Sequence, residues 1–324
     1  MENILEIKNL HTYFYTEDSI IKAVEGLNLS VKKGEVLGLV GESACGKTIT
    51  AHSVMRILQP PGRIAQGEIF FEGKNLLKMS ADKVRRIRGG EISIIFQEAQ
   101  AALNPLYTVE FQIAEAIKAH KKDITKAEIR SLVLELLKRV GISHPKMRMK
   151  DYPHNLSGGQ AQRVMIAMAI ACKPKLLIAD EPTTSLDVTI QAQIMDLFRK
   201  LREETGFTLI LITHNLALCS QIAERIAIMY AGRIVELASL EEIFNSPLHP
   251  YTKALFSSIP DQGVSKERLK VIEGVVPNPA DKPSGCHFHP RCPMKKKRCE
   301  DKYPEFREAS PDHGVSCFFA KGYE

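Results

Sequence analysis

The chain lacks any long uninterrupted run of apolar residues. The longest such run in its 324 residues is the nine-residue segment 164–172, whereas a helix that spans a bilayer needs about 20. The first four residues, Met1, Glu2, Asn3 and Ile4, also lack the basic and then apolar layout of a secretory signal peptide. We therefore expect a cytoplasmic chain without a transmembrane segment.

The chain also lacks a large excess of charge and a sustained heptad repeat. Its net charge is +6, with 25% charged and 44% hydrophobic residues. This modest charge does not require an anionic lipid or nucleic acid as a partner, and we predict that nucleic acid is not one. The missing heptads exclude a long coiled coil. The composition suits one large soluble domain with a smaller one beside it.

A phosphate-binding motif lies near the N-terminus. Residues 41–48 read GESACGKT and match G-x-x-x-x-G-K-[ST]. A buried strand is predicted at 36–40, and a helix at 50–58 that Pro60 and Pro61 end. In this order, backbone N–H groups bind phosphates, Lys47 reaches the β- and γ-phosphates, and the Thr48 hydroxyl binds Mg²⁺. The predicted nucleotide-binding residues here are Gly41, Glu42, Ser43, Ala44, Cys45, Gly46, Lys47, Thr48 and Thr50.

Cys45 has two interpretations. As an ordinary small residue of the loop, it would face solvent. Alternatively, Lys47 and the helix N-terminus would lower the pKa of its thiol and make it reactive, so that alkylation would inhibit the protein and ATP would protect it.

Polar side chains follow two further predicted strands, at 176–179 and 208–212. The first ends in Asp180 and Glu181, and the second in Thr213 and His214. Groups at the carboxyl ends of parallel strands lie where open α/β sheets bind ligands. Asp180 would hold Mg²⁺ through its hydration shell, Glu181 would polarise the attacking water, and His214 would contact the γ-phosphate or orient that water. The alternative is that each is a solvated acid or a strand-end histidine.

Together with residues 156–160, which read LSGGQ, these motifs resemble the ATP-binding-cassette (ABC) ATPases over about residues 4–245. The resemblance implies an α/β P-loop NTPase fold: a RecA-like core with an antiparallel β subdomain and an α-helical subdomain at about 98–170, all within a nucleotide-binding domain at 1–245. It implies Mg²⁺ and ATP as ligands.

The resemblance also implies roles for further residues. In that family two cassettes meet head to tail, so the signature here would cap the γ-phosphate held by a second cassette, and a helix from Ala161 would make it an anion site. The implied residues are Ser157, Gly158, Gly159 and Gln160 in the signature, Asp187 in the D-loop, Phe14 stacked on adenine, His214 as the switch histidine, and Gln97 as the Q-loop and Mg²⁺ residue. The catalytic set is Glu181, His214, Gln97 and Lys47.

The tail at 246–324, which contains His249, Pro250 and Tyr251, resembles that of ATPase subunits of bacterial dipeptide/oligopeptide importers. This implies an ATP-hydrolysing motor at the cytoplasmic face of the membrane. Its partners would be a second, related ATPase, two transmembrane permeases and, indirectly, an extracytoplasmic peptide-binding protein. Alternatives are the ATPase of a nickel or other small-solute importer, a soluble non-transport ABC ATPase, or a metal or redox sensor. The complete catalytic set disfavours the sensor.

The tail carries Cys286, Cys292, Cys299 and Cys317, spaced C-x5-C-x6-C-x17-C. Zinc sites favour pairs of cysteines with two to four residues between them, and the wider gaps here fit that pattern poorly. Four thiolates can hold a [4Fe–4S] cluster, and the resemblance implies one here. A zinc site that includes His287, His289 or His313 stays open, as do free or disulfide-linked cysteines.

Overall fold

A computed structural model of the chain describes residues 2–121, 123–257 and 272–320, so part of the predicted tail lies outside the described residues. The strands are β1 (Asn3–Tyr15), β2 (Ile20–Lys32), β3 (Val36–Val40), β4 (Gly62–Phe71), β5 (Lys74–Asn75), β6 (Ile92–Ile95), β7 (Leu176–Asp180), β8 (Thr208–Thr213), β9 (Arg225–Tyr230), β10 (Arg233–Ser239), β11 (Arg307–Ser310) and β12 (His313–Val315). The helices are α1 (Lys47–Met55), α2 (Ala81–Ile87), α3 (Ala99–Ala102), α4 (Val109–His120), α5 (Lys126–Arg139), α6 (Pro145–Arg148), α7 (Gly158–Ile170), α8 (Val188–Thr205), α9 (Leu216–Cys219), α10 (Leu240–Asn245), α11 (Pro250–Ser257) and α12 (Lys297–Asp301). None of the helices in the described part of the chain has the length and apolar character to cross a membrane.

The chain divides into two compact units. The first consists of Met1–Lys32, Val36–Leu77 and Thr213–Glu324, and the second of Lys33–Glu35 and Lys78–Ile212. The phosphate-binding loop, His214 and the cysteine-rich tail therefore belong to the first unit. The residues around Glu181 and the signature belong to the second.

The first unit contains an antiparallel sheet in the order β2-β1-β4-β5. It also contains the order β11-β12-β10-β9-β3, in which β9 and β3 are parallel and the other pairs are antiparallel. Every residue of β3 is buried. This confirms the strand predicted at 36–40, where a continuous apolar run reads as a strand buried on both faces.

Helix α1 starts three residues earlier than predicted, at Lys47, and ends at Met55. Gly46 precedes it with φ 106°, a conformation that favours glycine, and a Cβ at this position would lie 2.5 Å from the Ala23 carbonyl oxygen. The helix ends because Arg56 adopts a left-handed conformation. The end is therefore set by a local turn, four residues before Pro60.

The second unit contains parallel strands in the order β8-β7-β6. All residues of β7 and β8 are buried, and each of these strands extends one residue beyond its predicted end. Residues 98–170, which are predicted to be helical, contain α3 to α7. Helix α4 buries Val109, Gln112, Ile113 and Ile117, a spacing that places them on one face of the helix.

A buried carboxylate ties the C-terminal tail to strand β10. Glu236 is fully buried, and it accepts hydrogen bonds from the N–H groups of Leu248 (2.7 Å) and His249 (2.9 Å) and from His313 Nε2 (2.8 Å). Burial raises the pKa of Glu236, but these hydrogen bonds outweigh burial, so that its pKa lies below the ordinary value. One carboxylate thus fixes the segment before α11 and the start of β12.

We expect Glu236→Gln to lower the free energy of unfolding by about 3 kcal/mol at pH 7, because it weakens a buried, charge-assisted network. Since the folded pKa is lowered, the carboxylate stabilises the protein above the unfolded pKa of about 4.3. This contribution is lost as the pH falls through the folded pKa. Urea denaturation across pH 3 to 8 measures both effects. Glu308→Gln, at an exposed site on β11, is the matched control, and an equal loss in that variant contradicts the role of Glu236.

Candidate nucleotide-binding site

The phosphate-binding loop curls around its own lysine. Lys47 Nζ donates hydrogen bonds to the carbonyl oxygens of Gly41 (2.8 Å) and Glu42 (3.0 Å), and the residue is 4% exposed. The Thr50 hydroxyl donates to the Gly46 carbonyl oxygen at 3.0 Å, so it stabilises the start of α1. Two carbonyl groups of the loop therefore face the lysine, and α1 begins directly after the loop, so that the end of the helix dipole that favours an anion lies there.

Cys45 is buried, and both interpretations of it from the sequence are wrong. Its side chain has no exposed surface, and Sγ lies 3.8 Å from Lys47 Nζ. Burial raises the pKa of the thiol by more than the nearby Lys47 lowers it. Cys45 therefore fills the interior of the loop as a neutral thiol.

The second unit holds a carboxylate in a fixed orientation. Glu181 Oε2 accepts hydrogen bonds from Gln97 Nε2 (3.2 Å) and Thr184 Oγ1 (3.0 Å). Glu181 follows directly after Asp180, which is 2% exposed at the end of β7. The φ of Glu181 is 45°, an unusual value for a residue with a side chain, and such backbone strain is concentrated at functional sites. The structure thus brings together Gln97 and Glu181, which the sequence assigns to one site.

The signature begins a helix rather than preceding one. Helix α7 starts at Gly158, three residues before the predicted start at Ala161. The Ser157 hydroxyl accepts from the Gln160 N–H at 3.3 Å, and Gln160 Oε1 accepts from the Ser157 N–H at 3.1 Å. This capping box leaves Ser157 and Gly158 exposed at the helix N-terminus.

The D-loop lies against the signature within the second unit. A Cβ on Gly159 would lie 3.0 Å from Ile190, and one on Gly158 would lie 3.4 Å from Leu186. Asp187 caps α8 and accepts from the Ile190 N–H at 3.0 Å. Its carboxylate therefore fixes the start of the helix that packs against the signature glycines.

His214 and Phe14 lie in the first unit. His214 directly follows β8, is exposed, and precedes α9, which Asn215 caps. On β1, Thr12 hydrogen bonds to Ser53 of α1 at 2.8 Å, and alternation along a strand places Phe14 on the same face. Phe14 lies against Gly62 of β4 and is half-buried.

The sequence did not reveal three contacts of this region. The Thr184 hydroxyl donates to Glu181. The signal in the sequence for this contact is that Thr184 lies three residues after Glu181. Tyr251 and Arg291 bind Glu42 from the tail. The only signals in the sequence for Tyr251 and Arg291 are their positions, directly after Pro250 and directly before Cys292.

The four tail cysteines influence one another electrostatically. Burial, and then the charges of Cys299, Cys317 and Cys292, raise the pKa of the Cys286 thiol to about 12. The Phe319 N–H donates to Cys317 Sγ at 3.4 Å. Within the described ranges, no group of three or more His, Cys, Asp or Glu side chains is arranged to hold a metal ion.

Two family models match the chain. Residues 24–184 match the ABC transporter model. Residues 235–299 match the model of the oligopeptide/dipeptide transporter C-terminal region. The two matches cover the phosphate-binding loop, the signature and most of the tail.

Among solved structures, a dimeric ATP-binding cassette bound to ADP and phosphate superposes with a TM-score of 0.66 at 29% identity, and covers 73% of this chain and 98% of that one. A probable peptide ABC transporter ATP-binding protein of Sinorhizobium fredii is 46% identical over 97% of this chain and 94% of its own length. The dipeptide transport ATP-binding protein DppD of Haemophilus influenzae is 48% identical over 93% of this chain and 91% of its own. The protein therefore has the P-loop ABC ATPase fold and belongs to the family of ABC transporter ATP-binding proteins that carry the oligopeptide/dipeptide C-terminal region.

Proposed function

We propose that the chain is the ATP-hydrolysing subunit of a dipeptide/oligopeptide ABC importer. The observation that carries the proposal is the fixed carboxylate of Glu181, directly after the buried Asp180 and within hydrogen-bonding distance of Gln97. An ATPase needs such a positioned group next to its metal ligand. The peptide class rests on the tail family and on relatives named for dipeptide and oligopeptide transport.

Separate residues would bind the adenine, the phosphates and the Mg²⁺ of the nucleotide. Phe14 stacks on the adenine, and the N–H groups at the start of α1 bind the phosphates. Lys47 provides a positive charge that is already desolvated, so its attraction to phosphate oxygens is stronger than in water. Mg²⁺, which neutralises charge on the phosphates, would be held by the Thr48 hydroxyl and, with Gln97, by Asp180 through water.

Hydrolysis depends on the orientation of one carboxylate. The hydrogen bonds from the side chains of Gln97 and Thr184 both end on Glu181 Oε2 and therefore limit rotation of the carboxylate. In this orientation Glu181 accepts a hydrogen bond from the attacking water, and His214 contacts the γ-phosphate. Gln97 would also help to hold Mg²⁺, so that one side chain would serve both the carboxylate and the metal.

The signature serves a second cassette. Ser157 and Gly158 are exposed at the N-terminus of α7, where N–H groups and the helix dipole favour an anion. We propose that this surface caps the γ-phosphate bound by another ATPase subunit, a related chain in a heterodimer. The similar cassette that is dimeric in its ADP- and phosphate-bound form supports the pairing of two cassettes.

Glu181→Gln should bind ATP as the wild type does but hydrolyse it at least a hundredfold more slowly, because loss of one positioned electrostatic group costs about 3–4 kcal/mol. Equilibrium binding of a fluorescent ATP analogue and phosphate release measure the two properties. Glu203→Gln, at an exposed position on α8, is the control. Near-normal turnover in Glu181→Gln contradicts the assigned role.

An exposed apolar patch offers a docking surface for a permease. Leu106 is 78% exposed, and the rings of Tyr107 and Phe111 stack with centroids 4.4 Å apart while both remain over 40% exposed. Gln112, buried on α4, holds this loop by donating to the carbonyl oxygens of Asn104 (3.0 Å) and Tyr107 (2.9 Å). Such an ordered apolar patch is typical of a protein interface. We propose that a cytoplasmic helix of the permease covers it.

Leu106→Asp should abolish co-purification of two permease subunits from detergent-solubilised membranes without changing ATP binding, because a charge in the apolar contact is desolvated on docking. Val275→Asp, at an 85% exposed site in the tail, is the control and should retain the permeases. Failure of the wild-type chain to recover any membrane subunit contradicts the importer assignment.

This assignment places the chain at the cytoplasmic face of the bacterial membrane. The extracytoplasmic peptide-binding protein acts on it only through the permeases. We assign the nucleotide-binding domain to 1–245, with the helical subdomain at about 98–170, and the importer-specific extension to 246–324.

For the extension, we propose a [4Fe–4S] cluster on Cys286, Cys292, Cys299 and Cys317. The hydrogen bond from the Phe319 N–H to Cys317 Sγ fits such a cluster, whose potential depends on hydrogen bonds to its sulfur atoms. The four cysteines would supply four thiolates, the number that a [4Fe–4S] cluster takes.

Protein purified without oxygen should contain about four irons per chain and be coloured, and Cys299→Ser should lose both properties because one ligand is missing. Metal analysis and absorption spectra measure the outcome. Cys172→Ser, outside the tail, is the control. A colourless, iron-free and zinc-replete preparation contradicts the cluster.

A further inference from the structure

The phosphate-binding loop is held by the C-terminal tail. Glu42, the second residue of the loop, accepts two hydrogen bonds from Arg291. Nη1 donates to Oε2 at 2.8 Å, and Nη2 donates to Oε1 at 3.1 Å. The Glu42 N–H donates to the Tyr251 hydroxyl at 2.9 Å. The Glu42 carbonyl oxygen accepts from Lys47 Nζ at 3.0 Å. Glu42 therefore lies between two residues of the tail and the lysine of the loop.

Contacts other than the one with Glu42 also hold the Arg291 side chain in place. Its side chain is 4% exposed, and it donates from Nε to the Glu273 carbonyl oxygen at 3.0 Å and from Nη2 to the Ile272 carbonyl oxygen at 3.3 Å. Nη1 lies 3.4 Å from the Tyr230 hydroxyl at the end of β9. A two-pronged, charge-assisted contact of this kind defines direction as well as distance.

Tyr251 is equally constrained. It has no exposed surface, and its ring lies 4.6 Å from the Tyr230 ring and 5.4 Å from the Phe288 ring, measured between centroids. Its backbone N–H donates to His249 Nδ1 at 3.0 Å. The acceptor for the Glu42 N–H therefore belongs to a packed aromatic cluster of Tyr230, Tyr251 and Phe288.

The ion pair has an electrostatic consequence for nucleotide binding. Glu42 places a carboxylate in a loop whose ligand is a polyanion, and an unpaired carboxylate there would repel it. Arg291 neutralises this charge, and the pair is largely shielded from solvent on the Arg291 side. Because the Glu42 carbonyl oxygen also binds Lys47, movement of Glu42 would displace the ammonium group that contacts phosphate.

We propose that Arg291 and Tyr251 are positioning residues for ATP: they neutralise and immobilise Glu42, and so hold the phosphate-binding loop and Lys47 in the geometry that binds nucleotide. This inference rests on the proposed ATPase function and deepens it. It gives the importer-specific tail a direct part in ATP binding, separate from any group held by its cysteines.

Arg291→Gln should weaken binding of a fluorescent ATP analogue to the purified full chain about tenfold, and raise KM for ATP while kcat of the assembled complex is retained. Arg291→Lys keeps the charge but loses the two-pronged contact, so it should weaken binding less than Arg291→Gln does, by about threefold. The double variant Glu42→Gln/Arg291→Gln should recover most of the lost affinity, because it leaves no unpaired carboxylate. Tyr251→Phe preserves the ring packing and should weaken binding about threefold by removing one acceptor.

Lys302→Gln, which removes a charge from an exposed pair with Glu305 (3.6 Å), controls for a general change in the charge of the tail. If Arg291 only stabilised the fold, Arg291→Gln would lower the folded fraction and kcat while leaving nucleotide affinity unchanged, and this result overturns the inference. Equal weakening in Lys302→Gln overturns it too, as does a double variant as weak as Arg291→Gln. Absence of ATP binding by the wild type would instead refute the proposed function itself.

Discussion

The structure depends on the burial of one positive charge, the ammonium group of Lys47. Removing an ammonium from water is costly unless polar groups replace its hydration. Here the carbonyl oxygens of Gly41 and Glu42 do so, and this requires the loop to turn tightly around the lysine. The buried strand β3 and the left-handed Gly46 set the two ends of that turn. A buried ammonium beside the N-terminus of α1 then favours a phosphate group.

The same constraint explains why the tail lies against the loop. Glu42 provides both a carbonyl oxygen for Lys47 and a carboxylate that must be neutralised. Arg291 and Tyr251 satisfy its carboxylate and its N–H, and Glu236 anchors the tail that carries them. The tail therefore connects a buried carboxylate on β10 to the loop that is expected to bind ATP. On this account, an importer-specific extension supports a site that ABC ATPases share.

Much of this arrangement could be predicted from the sequence. Continuous apolar runs correctly predict β3, β7 and β8, because strands buried on both faces need apolar residues throughout. Helix starts were less accurate: α1 and α7 begin three residues early, since a left-handed glycine and a capping box act locally and are not periodic patterns. The prediction that Cys45 faces solvent is wrong because its side chain turns into the loop. No sequence pattern encodes that orientation. The contact of Arg291 with Glu42 joins residues 249 positions apart, and only the fold brings them together. The roles of the site residues and the cluster stay predictions.

We propose that this chain supplies half of a composite ATPase site and works as the motor of a membrane complex. The most direct test is the rate of ATP hydrolysis per subunit, measured for the purified chain alone and after assembly with its permeases and second ATPase in lipid vesicles. We predict slow hydrolysis alone and a rate about tenfold or more higher in the complex, because the signature of a partner adds a positioned anion site. The same rate per subunit in both states would contradict the account.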